Sequence, residues 1–241
     1  MKLPKIKDFI LSLILTKQCR YCGELIERKE TLCEDCKRTL PVIKGEKCKS
    51  CGAEKSRCDC KGRQMRYDGV TAPFYYENGI RTSLQLLKFG GRDYIAYSLA
   101  QDMAKSVTED FVGITFDFIT YIPFTGYQKR HRPYNQSELL AGCLSAALKI
   151  PCKDVLIKLF ETGIQHRMGS AERSGNVLGV YDVKSSDLVK GKTVLLVDDI
   201  KTTGATLNEC ARILKIRGAE KVYCVTAALT GKNEKKEEDN V

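Results

Sequence analysis

Histidine is almost missing from this sequence, which holds two, His131 and His166. Imidazole acid–base chemistry therefore has few candidates, and His166, in a polar stretch, reads as an exposed loop residue. Long apolar runs are missing too. Phe9 to Leu15 falls short of the ~20 residues that a helix needs to cross a bilayer. No small-residue cleavage site follows it before the cysteines begin, and Lys17 and Gln18 ahead of Cys19 do not form a lipoprotein processing site. A membrane span and a secretory leader are thus not expected. An amphipathic helix with Ile6, Phe9, Ile10 and Leu13 on one face fits the run instead. No internal repeat is visible.

Acidic residues are outnumbered, 30 Asp+Glu against 40 Lys+Arg, a net +10 that points to an anionic partner. The excess is uneven. Residues 1–66 carry 17 basic and 9 acidic side chains, leaving 23 and 21 to the rest. If the eight cysteines of that segment are thiolates on two zinc ions, each site adds about −2, and the segment falls to about +4. Basicity alone is then a weak argument for nucleic acid.

Cysteine, by contrast, is plentiful: twelve residues, eight of them in tight pairs ending at Cys60. Such pairing favours metal ligation in a reducing, cytoplasmic setting over disulfides. Cys19-x2-Cys22, ten residues, then Cys33-x2-Cys36 is a structural zinc pattern, and Cys48-x2-Cys51 with Cys58-x-Cys60 is a second. Sequential pairing is favoured over cross-bracing because short spacers close small loops at low entropy cost. Four thiolates leave no open coordination position, so the two Zn2+ ions are structural. Cys143, Cys152, Cys210 and Cys224 stand alone and read as small buried apolar residues.

Three regions follow: an N-terminal helix and cysteine-rich zinc module (1–66), an alternating strand and helix domain (67–230), and a polar tail (231–241) whose composition predicts disorder. In the middle region, "GVTAPFYY", "FDFITYIPF", "VLIKLF", "NVLGVYDV", "TVLLVD" and "KVYCVTAAL" read as strands. "GIRTSLQLLKF", "DYIAYSLAQDMAKSV", "SELLAGCLSAALKI" and a stretch from Ala205 to Arg217 read as helices, the last closed by Gly218. This alternation predicts an α/β fold, a mostly parallel sheet with helices on both faces and ligands beyond the carboxyl ends of its strands.

The sharpest local signal is "VLLVDDIKTTGATL". An apolar strand ends in Asp198 and Asp199, and the next residues, Lys201, Thr202, Thr203, Gly204, Ala205 and Thr206, open a helix. Successive N–H groups, three hydroxyls and a helix start suit a phosphate, and Gly204 permits close approach. The two carboxylates suit vicinal hydroxyls. A ribose 5-phosphate has both features. Helix capping and an ordinary turn would explain part of this pattern with fewer such residues.

That stretch resembles the phosphoribosyl pyrophosphate (PRPP) loop of type I phosphoribosyltransferases. With "CRYCGELIERKETLCEDC", "CKSCG", "LQLLKFGGRDYIAYSLA", "YIPFTGYQKRHRPYNQSELLA" and "QHRMGSAERSGNV", the chain resembles the ComF family of competence proteins over nearly all but its tail. Where that family has "RGFNQ", this chain has "RPYNQ", with Pro133 in place of glycine. The resemblance implies a type I phosphoribosyltransferase-like domain behind the zinc module. It makes "TGYQKRHRPYNQ" the pyrophosphate loop, with Lys129, Arg130 and above all Arg132 neutralising the leaving group. It makes "QHRMGSAERSGN" a catalytic lid that excludes water, carrying Gln165, Arg173 and Asn176. Lys88 and Arg92, flanking "FGG", would face the site from the side. Such sheets carry a hood over the active site, and the cysteine module is the candidate for it.

The resemblance implies an enzyme: Asp198, Asp199, Arg132 and Arg173 catalytic, Mg2+ bridging the pyrophosphate, and phosphoribosyl transferred from PRPP to an acceptor that no nucleobase motif identifies. It also implies work in DNA uptake and natural transformation. The alternative is a non-catalytic, single-stranded-DNA-binding competence factor, meeting the uptake machinery and using PRPP as a regulator. A third reading keeps the PRPP site without turnover. Oligomeric state is not legible.

Overall fold

The computed structural model describes residues 17–27, 29–58, 60, 64–89, 93–131, 133–159 and 179–231. The expected N-terminal helix and almost all of the tail lie outside them. The cysteine-rich part is mostly turns. β1 (Lys17–Gln18) and β2 (Leu25–Ile26) pair antiparallel around the first cysteine turn. α1 (Glu34–Thr39) is capped by Cys33, whose sulfur accepts from Cys36 N–H at 3.3 Å.

The larger part runs β3 (Gly69–Thr71), β4 (Phe74–Tyr75), α2 (Asn78–Phe89), α3 (Asp93–Asp110), β5 (Phe118–Tyr121), α4 (Gly126–His131), α5 (Gln136–Leu148), β6 (Leu156–Lys158), β7 (Tyr181–Val183), β8 (Thr193–Lys201), α6 (Ala205–Ile216) and β9 (Lys221–Leu229). Five strands form one parallel sheet in the order β3-β9-β8-β5, with β4 following β3 along the same side of β9. β6 and β7 form a separate antiparallel ribbon.

Side chains alternate across a strand, so one sheet builds two cores. Ile119, Leu195, Val197 and Val225 pack with Leu84, Leu99, Met103 and Leu140 of α2, α3 and α5. Phe118, Val194, Leu196 and Val222 pack on the opposite face with Leu207, Cys210 and Leu214 of α6 and with Leu156 and Val183 of the ribbon. Burial on both faces is why Val194–Val197 is apolar without interruption. Gly218, at φ +103°, ends α6.

Several sequence expectations change. "GVTAPFYY" is two strands, because Pro73 has no N–H for the ladder; its carbonyl accepts from Ile43 N–H of the cysteine module at 2.9 Å. The basic loop opens as a helix, α4, since Thr125 and Gln128 form a reciprocal capping box, Gln128 N–H to Thr125 Oγ1 at 3.1 Å and Thr125 N–H to Gln128 Oε1 at 3.0 Å. Of the four isolated cysteines, Cys210 and Cys224 are buried, but Cys143 is half-buried and Cys152 is exposed beside the β5 edge. No described helix is long and apolar enough to cross a membrane.

Leu195, fully buried between sheet and helices, tests the first core. Leu195→Ala is expected to cost about 2–5 kcal/mol, read as a lower urea midpoint with unchanged slope.

Candidate functional site

β5 stops pairing with β8 at Val197, where Pro123 approaches, while β9 keeps β8 extended to Lys201. β8 therefore runs past the aspartates rather than ending at them, and Asp198 and Asp199 lie where its β5 side is open and unpaired, the place of the ligand crevice in such sheets.

The two carboxylates are held differently. Asp198 Oδ1 accepts from the Ser137 hydroxyl in the first turn of α5 and from Asp199 N–H, both at 2.9 Å. Burial, then repulsion from Asp199, pushes its carboxyl up to about 7, against the lowering effect of those donors and of Lys88. Asp199 Oδ2 makes an ion pair with Lys88 Nζ at 3.2 Å, and its Oδ1 accepts from Ile200 N–H at 2.7 Å. Lys88, near the end of α2, thus brings its ammonium to the Asp199 carboxylate.

The following loop turns at Gly204, φ +79°, the residue before α6. A β-carbon there would lie 3.0 Å from Lys201 Cε, which would have to shift, and 3.5 Å from Met65 Cε, an ordinary contact; the positive φ is what favours glycine. Gly204 supplies no cap from a side chain; Thr203 Oγ1 accepts from Ala205 N–H at 3.3 Å. Thr202, Thr203 and Ala205 are exposed, Thr206 is half-buried and Lys201 is buried. Exposed hydroxyls beside a helix start can hold a phosphate.

Arg132, Arg92, Gln165, Arg173, Asn176 and His166 lie outside the described residues, as does the side chain of Lys129; Arg130 is exposed on α4. Three anchors were not singled out as site residues. Ser137 touches Asp198; Asn135 caps α5 and donates from Nδ2 to Ile122 O at 2.9 Å; the Tyr134 hydroxyl donates to Leu87 O, beside Lys88. Their only signal was the capping pattern at the start of α5.

The cysteines fall into two sequential groups, Cys19, Cys22, Cys33, Cys36 and Cys48, Cys51, Cys58, Cys60, with the sulfurs of each within 4.8 Å of one another. Closest neighbours are 3.3–3.6 Å apart, close to the about 3.8 Å that follows for sulfurs 2.3 Å from a tetrahedral zinc. Burial raises the Cys19 and Cys48 thiols, but backbone N–H donors of the turns outweigh it and bring both to about 7. Four converging sulfurs of this kind suit a closed, structural ion.

The described residues of the cysteine module dock on α2, α3 and the sheet edge rather than as the hood expected over the crevice. Its first half is tied to α2 and α3: Arg20 donates to Asp102 Oδ2 at 3.1 Å, the Tyr21 hydroxyl meets the same carboxylate, and Ser83 donates to Tyr21 O. Its second half flanks the β3–β4 edge, with Lys49 O accepting from Val70 N–H at 3.1 Å. Only the chain leaving it, at Met65, reaches the Gly204 turn. Backbone pairing with Pro73 and Tyr75 draws the module to the edge.

Two family models match the chain. A double zinc ribbon domain matches residues 10–72, and a phosphoribosyl transferase domain matches residues 133–241. Fold and site thus define a phosphoribosyltransferase-type α/β domain fronted by a double zinc ribbon. Competence protein ComFC of Streptococcus pneumoniae is 30% identical over 227 residues, 85% of this chain and 96% of that protein. Competence protein F of Haemophilus influenzae is 26% identical, covering 85% and 93%. DNA utilization protein YhgH of Escherichia coli K12 is 26% identical, covering 88% and 90%. The chain belongs to the ComF family of competence proteins.

Two outcomes are expected. Because Asp198 binds its proton more tightly folded than unfolded, stability falls as pH rises from the ordinary carboxyl range near 4 to about 7. Urea melts at pH 5 and pH 8 should show a smaller fall for Asp198→Asn than for the native chain. Elemental analysis should find two zinc ions per chain, one after Cys36→Ser, with chelation lowering the thermal midpoint.

Proposed function

We propose that the crevice binds PRPP and that the chain transfers its phosphoribosyl group, releasing pyrophosphate, in the service of DNA uptake. The observation that carries this reading is the placement of a carboxylate pair and a threonine-lined helix start on consecutive residues of one strand end. The loop amides and the hydroxyls of Thr202, Thr203 and Thr206 hold the 5-phosphate. Asp198 and Asp199 accept hydrogen bonds from the ribose diol. As a cationic sugar develops, the same carboxylates stabilise it, and Arg132 and Arg173 assist departure of the pyrophosphate.

Mg2+ bound with PRPP supplies neutralisation of the pyrophosphate charge. Oxygen donors suit it, and the site has them in the carboxylates, with Lys88 balancing one of the two. The lid of Gln165, Arg173 and Asn176 keeps water from the activated sugar. A cytoplasmic setting supplies PRPP and keeps thiols reduced.

The names of the relatives, competence and DNA utilization, also favour the second reading, a single-stranded-DNA-binding factor for which PRPP is a regulator. Charge pairing weighs against the zinc module as its contact surface. Lys37, Lys47, Lys55, Arg57 and Arg20 are all in ion pairs with acidic residues.

Calorimetric titration with PRPP and Mg2+, followed by an assay of pyrophosphate release with nucleobases and single-stranded DNA as acceptors, separates the readings. Binding with release is expected. Binding without release supports the regulator, and no binding removes both. Charge-assisted hydrogen bonds are each worth about 1.5–3 kcal/mol, so Asp198→Asn with Asp199→Asn should weaken PRPP binding at least about a hundredfold.

A further inference from the structure

The second four-cysteine group reaches the Gly204 turn through the chain that leaves it. Cys60 is its last cysteine, and Gln64–Arg66 follow shortly after. Met65 Cε would lie 3.5 Å from a β-carbon on Gly204, and Arg66 N–H donates to Asn208 Oδ1 at 2.7 Å in the first turns of α6. Met65 is half-buried, packed against the core that includes Leu207 and Cys210. Met65 thus stands at van der Waals distance beside the turn, with Lys201 Cε the nearer neighbour of the same position at 3.0 Å.

The same cysteine group holds the segment from its other end. The Tyr67 hydroxyl donates to Ser50 O at 2.6 Å, and Val70 N–H to Lys49 O at 3.1 Å; Lys49 and Ser50 lie between Cys48 and Cys51. Tyr67 is itself buried. Tyr67 and Val70 are therefore tied to the turn between Cys48 and Cys51, and Arg66 to α6, with Met65 beside the Gly204 turn. The first group contacts α2 and α3 instead, through Ser83, Ser98 and Asp102.

We propose that Met65 is a positioning residue for the Thr202–Thr206 loop, and that the second four-cysteine group, by holding Tyr67 and Val70 through Ser50 and Lys49, sets how firmly that loop grips a phosphate group. The ligand half of this inference rests on the PRPP reading; the mechanical half does not. A loop that binds through successive backbone amides must keep one conformation, and ordering it costs conformational entropy. With Met65 in place, folding has already met that cost. Without it, the ligand must, and affinity falls although every group that touches the ligand is intact.

Hydrogen exchange read at the amides of Thr202–Leu207 tests this without any ligand, in the full chain and in Met65→Ala, Met65→Leu and Cys58→Ser/Cys60→Ser variants. Met65→Ala should speed exchange about tenfold in this segment and leave central β9 amides unchanged, and Met65→Leu should restore protection. The cysteine variant, with zinc content down by one ion, should speed the same segment. PRPP affinity should weaken in step with exchange across the series. Unchanged loop exchange in Met65→Ala overturns the proposal, as does acceleration spread equally over β9, which marks general destabilisation. If the cysteine variant does not fold, the Met65 pair decides alone. If the native chain binds no PRPP, that failure falls on the proposed function, while exchange still decides the coupling.

Discussion

Two neighbouring carboxylates at the end of a strand buried on both faces are a costly arrangement, and the parts around the crevice answer to it. Like charges a residue apart in a desolvated place repel, and each needs its own remedy. Asp198 takes donors from Ser137 and the backbone and binds a proton far more tightly than an ordinary carboxyl. Asp199 takes the ammonium of Lys88. The remedies come from α5 and α2, the helices that cover that face of the sheet, so the packing of the first core and the charge state of the site are one problem. A ligand offering hydroxyls would complete the same set of partners.

The zinc ribbons enter this picture as braces. The first is fastened to α2, where Ser83 binds Tyr21 O and Gly79 lies against Cys36, and α2 is the helix that ends in Lys88. The second grips the segment that meets Gly204. A small module poor in regular structure has little apolar core of its own; Cys19, Tyr21, Cys33 and Cys36 instead join the core under α2 and α3. Metal cross-linking and docking on the larger domain therefore support each other.

Much of the larger domain was legible because its signals are local or periodic. The runs in β8 and β9 and the glycine after α6 each follow from a few adjacent residues. The failures have equally specific causes. Pro73 breaks an apolar run that otherwise reads as one strand. Thr125 and Gln128 cap a helix inside a stretch whose charges read as a loop. Cys152 has the composition of a core residue, yet is exposed where its backbone bridges to Ile119 at the edge of β5. The hood was an argument from need, and the module's backbone pairs with the sheet edge instead.

By itself, the sequence determined the chemistry available: eight paired cysteines as two sets of four sulfurs, an alternation that makes a doubly covered parallel sheet, and an acid pair running into threonines and a glycine. These depend on spacing along one chain, and spacing survives without knowledge of the fold. Only the tertiary structure decided which groups meet. Lys88 opposite Asp199, Ser137 on Asp198 and Met65 over Gly204 each join residues remote in sequence, through helix and strand placements that no local pattern encodes. Those meetings set charge and rigidity at the crevice, because both depend on distance in space and on burial.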